Sequence, residues 1–155
     1  MKKIAAWVLC ALWMGFIFYM SAQTGDASGK QSGQVMEIVV SVLEDVLGAE
    51  TVQGLDRGML ELIIRKCAHM TEYAVLFLLM ERAMRLSDFR RPALSAFFWS
   101  VLYASGDELH QAFTPDRGPS PVDVMIDSAG MGLGVLWLQI WKKLRGMWEK
   151  KTENA

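Results

Sequence analysis

Four stretches of the chain, residues 4–22, 62–80, 92–113 and 122–141, carry apolar runs or near-runs of the ~20 residues that span a bilayer core of about 30 Å. Only the first is cleanly apolar. The second holds Arg65, Lys66, His69 and Glu72, the third ends in Asp107, Glu108 and His110, and the fourth begins with Asp123 and Asp127. A hydropathy window undercounts such segments, because a charged stripe lowers the average of a helix whose other faces are apolar. Between the first two stretches, Val35, Ile38, Val39, Val42, Leu43 and Val46 recur at helical spacing with Glu37, Glu44 and Asp45 interleaved. That pattern predicts an amphipathic helix that rests on the membrane surface or caps the bundle. The preceding Gly/Ser-rich segment from Thr24 to Gly33 reads as a loop, and the segment from Phe113 to Asp123, with Pro115, Gly118, Pro119 and Pro121, as a tight turn. The reading is an all-α, polytopic membrane protein: a single domain over residues 1–155 with four transmembrane helices and an amphipathic helix in the first outer segment.

Composition supports this, with 52% hydrophobic residues and a mean hydropathy of +0.21. The net charge of -1 is uninformative as a total, whereas its distribution sets orientation. Lys2 and Lys3 precede the first span, Arg82, Arg85, Arg90 and Arg91 outweigh Glu81 and Asp88 between the second and third, and Lys142, Lys143, Arg145, Lys150 and Lys151 follow the fourth. The positive-inside rule makes these segments and both termini cytoplasmic, and turns residues 23–61 and the connection around Asp116 and Arg117 outward. Trp137, Trp141 and Trp148 fit an interfacial belt at the inner end of the last helix. The first run is long for the core of a secretory signal, and Met20 stands where a cleavage site needs a small residue, so a retained helix is expected. Cys10 and Cys67 lie inside helical stretches and form neither a disulfide framework nor a cysteine metal motif. Gly25, Gly29 and Lys30 are one residue short of a phosphate-binding loop, and Gln31 replaces its hydroxyl. Membrane lipids are the expected surroundings, and no nucleic-acid partner is expected.

Depth follows from counting at ~1.5 Å per residue. From Met80, Glu72 lies about 12 Å, His69 about 17 Å and Arg65 about 23 Å into the core. Asp107 lies about 23 Å from Pro92, and Asp127 and Asp123 about 21 and 27 Å from Trp141. Helical phase agrees: Arg65, His69 and Glu72 share a face, as do Tyr103, Asp107, His110 and Gln111, and as do Asp123 and Asp127. A charge at the bilayer centre costs about 2.5–3.5 kcal/mol on insertion scales, so these groups must pair or line a wet cavity. The expectation is an outward-opening pocket with Arg65 and Lys66 as counter-ions for Asp107, Glu108, Asp123 or Asp127. Ser128 with Gly132 and Gly130 with Gly134 supply small residues four apart, the spacing that lets helices approach closely.

Several chemistries stay open for this cluster. His69 or His110, tuned by Glu72 and Asp107, is a candidate general acid/base. The spacings His69-x-x-Glu72 and Asp107-x-x-His110, together with Asp123 and Asp127, also suit a divalent metal held by nitrogen and oxygen ligands. Arg65, Lys66 and Arg117 suit an anionic headgroup or phosphate, with Tyr103, Glu108, Gln111, Asp123 and Asp127 as further binding residues. A polar network that only glues helices together is the plainest alternative.

RKCAHMTEY at Arg65 to Tyr73, YASGDELHQAFTPDRGPSPVDVMID at Tyr103 to Asp127, and the Ser21-Ala22-Gln23 end of the first helix resemble the VanZ family of bacterial membrane proteins. The resemblance covers nearly the whole chain and is weakest across residues 25–61 and the tail. Arg65, Lys66, His69, Glu72, Tyr73, Asp107, Glu108, His110, Gln111, Arg117, Asp123 and Asp127 stand at its motif positions, and Ala22 stands where a second serine is common. It implies a multi-pass protein of the bacterial cell membrane, in a family named for an accessory protein of teicoplanin resistance. The expectation drawn is an enzyme or binder at the outer leaflet acting on a cell-envelope component, such as a lipid-linked precursor or a glycopeptide. A non-enzymatic binder of lipid, drug or partner, and a proton-coupled transport component, are the alternatives.

Overall fold

The computed structural model describes residues 1–115, 118 and 120–153, apart from the side chains of residues 26, 53, 150, 151 and 153. Among the described residues there are helices and no strands: α1 Lys2–Ser21, α2 Gly25–Leu47, α3 Ala49–Gln53, α4 Arg57–Leu86, α5 Pro92–Gln111 and α6 Pro121–Glu153. Of these, α1 and the Pro121–Glu149 part of α6 are long and apolar enough to cross a membrane by length and composition. α4 and α5 fall short of that measure because their polar residues sit within the same stretches as their apolar ones.

Local chemistry sets the helix ends. Asp56 caps α4 by accepting from the backbone N–H groups of Gly58 at 2.8 Å and Met59 at 3.2 Å. At the other end Asp88 takes a left-handed conformation, φ 61°, and the Phe89 N–H donates back to the Met84 carbonyl at 3.2 Å, which stops the helix. Pro92 then opens α5, where its fixed φ suits the first helical position. The two ends of α4 lie several residues beyond the expected span of residues 62–80, and α6 likewise runs on past residue 141.

The expected loop over residues 24–33 is a correction. α2 begins at Gly25, with the Thr24 hydroxyl accepting from the Ala27 N–H at 3.4 Å. Glycine and serine weaken an isolated helix, but tertiary bonds hold this one. The Ser32 hydroxyl donates to Glu61 of α4 at 2.9 Å, and the Gly25 N–H to the Pro115 carbonyl at 3.4 Å. The amphipathic helix predicted for residues 35–46 is the second half of α2, which ends where Gly48 adopts φ 85° before the short α3.

α4 is the central helix, packed most extensively on α6 and then on α5 and α1. Its Tyr73, Leu76, Phe77, Met80 and Met84 are buried and meet Cys10 and Ile17 of α1, Ala96 and Ala104 of α5 and Met131 of α6. The α4–α6 seam is close because of two glycines. A Cβ on Gly130 would overlap the Met70 carbonyl, and one on Gly134 would sit 2.7 Å from the Phe77 ring. Gly132 has open space around it, so of the two small-residue pairs it is 130 and 134 that lie at the contact. Around this core apolar side chains are exposed on each of these helices: Leu12 and Phe16 of α1, Leu62 and Ile63 at the start of α4, Leu94, Phe98 and Leu102 of α5, and Leu133, Leu136 and Ile140 of α6.

Candidate functional site

The α4–α6 seam carries its charge at the end nearest α2. On α6 the residues Asp123, Asp127, Gly130 and Gly134 fall on one stripe, and Lys66, Met70, Ala74 and Phe77 form the facing stripe of α4. The Lys66 ammonium pairs with Asp123, both side chains about a quarter exposed. One turn further in, His69 Nδ1 lies 3.7 Å from the Asp127 carboxylate, which is buried. Close helix packing and ion pairing are thus one feature. The glycines bring α6 near enough for two of its carboxylates to reach two bases on α4.

On the other side of α4, Arg65, His69 and Glu72 line a pocket of about 200 Å³ with Asp107 of α5, Ile17, Met20 and Ser21 of α1, and Ser28, Gln31, Ser32 and Val35 of α2. The Tyr73 hydroxyl donates to Asp107 at 3.3 Å, and the Trp13 indole donates to the Glu72 carbonyl at 3.0 Å. Among the described residues Arg65 has no ion pair, so its guanidinium is a cation at a pocket edge that otherwise offers hydroxyls, an amide, an imidazole and carboxylates. Of this set, Arg65, the hydroxyls and the Gln31 amide can donate to an anionic group, the Glu72 and Asp107 carboxylates oppose it, and His69 is placed to exchange a proton with Asp127 behind it.

The remaining expected site residues divide. His110 packs against Phe18 with ring centroids 4.6 Å apart and the rings tilted at 45°, and lines a second, larger cavity with Tyr103. Asp107 lines both cavities. The two histidines therefore do not face one pocket. The Tyr103 hydroxyl donates to the Met14 carbonyl at 2.6 Å, and the Gln111 amide donates to the Ser21 hydroxyl at 2.9 Å, so both tie α5 to α1. Glu108 is buried and accepts from the Ser120 N–H at 2.8 Å, holding the turn before α6. Arg117 lies outside the described residues. Among the described residues no three His, Cys, Asp or Glu side chains are grouped to hold a metal ion.

α4 ends at Leu86, not Met80, so Glu72 lies about 21 Å from its end, beside Asp107 at about 23 Å along α5. Counting from Met80 placed Arg65 rather than Glu72 level with Asp107. Sequence reasoning also passed over Ser21, Ser28, Gln31 and Ser32 as pocket residues. Their signal was present: Ser28, Gln31, Ser32 and Val35 fall at helical spacing directly after a threonine able to cap.

A family model described as VanZ/LLP1 matches residues 6–142. The chain belongs to the VanZ/LLP1 family. That match takes in α1 through the greater part of α6, including every pocket residue named above. Family membership and the two apolar helices mark a VanZ-type membrane protein. Neither the curated proteins nor the solved structures include one that matches the chain.

Proposed function

We propose that the chain is one VanZ-like domain that crosses a bacterial cytoplasmic membrane four times with both termini inside, and that its pocket holds an anionic group of a cell-envelope component at the outer leaflet. Four spans are supported by the exposed apolar side chains Leu94, Phe98 and Leu102 of α5 and Leu62 and Ile63 at the start of α4, the helix that its neighbours cover most. Orientation is supported by charge. The basic segments at Lys2 and Lys3, at Arg82 to Arg91 and after Trp141 fall at one end of the bundle, where Lys3 pairs with Asp88 at 2.6 Å.

The observation that carries the reading is Arg65 at the edge of a pocket that also holds His69, Glu72, Asp107 and three serines. The acceptor oxygens of a lipid phosphate or a precursor pyrophosphate suit the Arg65 guanidinium and the serine hydroxyls, and the Glu72 and Asp107 carboxylates limit how deep such a group can sit. His69 is the group assigned to proton transfer. A second reading, binding without proton transfer, is favoured by the 3.7 Å gap between His69 and Asp127, longer than the ~3.2 Å limit of an ordinary hydrogen bond.

The test is genetic and biochemical. Cells producing Arg65→Ala or His69→Ala at the parental protein level are compared with a deletion strain for lipid-linked envelope precursors and teicoplanin susceptibility. The proton-transfer reading expects both variants to match the deletion. The binding reading expects Arg65→Ala to match it while His69→Ala keeps function. Full function in both variants would remove the pocket from consideration.

A further inference from the structure

α1 and α4 run in opposite directions, since the Trp13 indole meets the Glu72 carbonyl while Lys2 and Arg82 share a cleft at the far end. Lys2, Ala5, Ala6 and Leu9 fall at i, i+3, i+4 and i+7 on one face of α1, and Leu79 and Arg82 at i and i+3 on α4. These six side chains line a space of about 180 Å³. Ala6 is buried where the two helices touch, whereas Ala5 and Leu9 are exposed where the cleft opens sideways. The space is smaller than the ~300–1,000 Å³ that encloses a whole ligand, so it grips one part of a larger molecule.

The cleft is polarised along the bundle axis. Its two cations stand at the rim, and Leu9 lies about 10 Å further along α1 toward the bilayer centre. The Trp7 indole falls between those levels, about 7.5 Å from Lys2, the place of an amphipathic ring at a membrane interface. It is fixed there by donating to the Ser87 hydroxyl at 2.9 Å. No acidic side chain lines the cleft. Glu81 and Asp88, the acidic residues at this end of α4, are already matched by Arg85 at 3.2 Å and Lys3 at 2.6 Å. Among the described residues neither Lys2 nor Arg82 has an ion pair. The first turn of α1 adds to the same field, because it holds no acidic residue and no side chain caps it.

We propose that this cleft binds an anionic phospholipid of the leaflet at the basic end, with its phosphate between Lys2 and Arg82 and the first carbons of one acyl chain against Ala5, Leu9 and Leu79. On the four-span reading above, on which the choice of leaflet rests, this is the inner leaflet. A phosphodiester has one negative charge and acceptor oxygens enough for both cations, and the Arg82 guanidinium can fork onto two of them. A zwitterionic head brings its own ammonium group toward two cations and a helix N-terminus, so it gains less. The apolar floor distinguishes the cleft from general surface attraction, since a bare phosphate ion leaves Ala5, Leu9 and Leu79 uncovered. A lipid held here bridges α1 and α4 at the opposite end of the bundle from the Arg65 pocket.

The full-length protein is purified in detergent and offered equimolar phosphatidylglycerol and phosphatidylcholine, and native mass spectrometry counts which lipid is retained. The first lipid bound is expected to be phosphatidylglycerol by about five-fold or more. Lys2→Gln with Arg82→Gln, at two exposed positions, should bring the ratio close to one. Arg90→Gln with Arg91→Gln, which removes two cations of the same end from outside the cleft, should leave it unchanged. Ala5→Phe keeps every charge and fills the cleft from an exposed position, and should lower the ratio as the charge variant does. Equal losses in the two charge variants, or a ratio unchanged in Ala5→Phe, would reduce the effect to surface charge and overturn the cleft. So would a ratio near one in the parent protein, or displacement of the bound lipid by glycerol 3-phosphate, which has the head without the chains. Arg65→Ala should keep the preference; a ratio lost there and kept in the Lys2 and Arg82 variant would assign the lipid to the polar pocket instead. Detergent has no leaflets, so these ratios do not depend on orientation, and a failed four-span reading would change only the leaflet that supplies the lipid.

Discussion

At the scale of single residues, what distinguishes this chain is how it places charge inside an apolar bundle. Lys66 and Asp123 are each only about a quarter exposed and lie on facing helices. Removing one partner leaves the other charge in a poor solvent, whereas replacing both with apolar groups removes the problem along with the pair. Lys66→Ala is therefore expected to lower stability by about 1–3 kcal/mol, less than for a fully buried pair because water still reaches both groups. The double variant Lys66→Met with Asp123→Leu should recover most of that loss. Thermal unfolding of purified protein in detergent measures both; a double variant no better than Lys66→Ala would show that the two charges do not act as a pair. Tyr73 belongs to the same logic. Its fully buried ring sits in the core while its hydroxyl reaches Asp107, so one side chain links the packed interior to the floor of the pocket.

At the scale of elements, the α4–α6 seam does two jobs with one stripe of residues. Gly130 and Gly134 set the helix separation, and that separation brings Asp123 and Asp127 to Lys66 and His69. Gly130→Ala should therefore both destabilise the bundle by about 1–3 kcal/mol, the usual cost of overpacking, and weaken ligand binding. Gly132→Ala, facing open space, should do neither; equal effects from the two substitutions would mean the seam is not the cause. Much of this was legible in the sequence. The glycine spacing, the shared faces of Arg65, His69 and Glu72, and the phase of Asp123 and Asp127 follow from a period of 3.6. Less legible were features that depend on tertiary partners. The first half of α2 looked like a loop because its glycines and serines are poor helix formers, yet Ser32 bonds to Glu61 and completes the pocket wall. His110 shares a helix face with Asp107, which pointed to one pocket, and only the packing of α1 against α5 sets it beside Phe18 and the other cavity.

At the scale of the whole molecule, both proposed sites derive their meaning from how the bundle sits in a bilayer. Lys3, Asp88 and the Trp7–Ser87 bond mark one end, and α2, with the polar pocket beneath its first turns, marks the other. α2 leaves Ile38, Val42 and Val46 exposed along one side, the arrangement of a helix lying in an interface rather than standing in water. If the basic end is inside, single cysteines at Gly48 and at Asp88 must fall on opposite sides of the membrane. In a background with Cys10→Ala and Cys67→Ala, a charged maleimide that cannot cross lipid should label Gly48→Cys in intact cells and Asp88→Cys only after permeabilisation. The reverse pattern would turn the pocket toward the cytoplasm, where envelope precursors are still being built rather than exported. Labelling of both positions in intact cells would mean that residues 48 and 88 share one face of the membrane, which no arrangement with α4 as a span allows. The second half of α2 should meanwhile react at Val42→Cys with a lipid-soluble probe in preference to the charged reagent, because its apolar side would rest among the acyl chains.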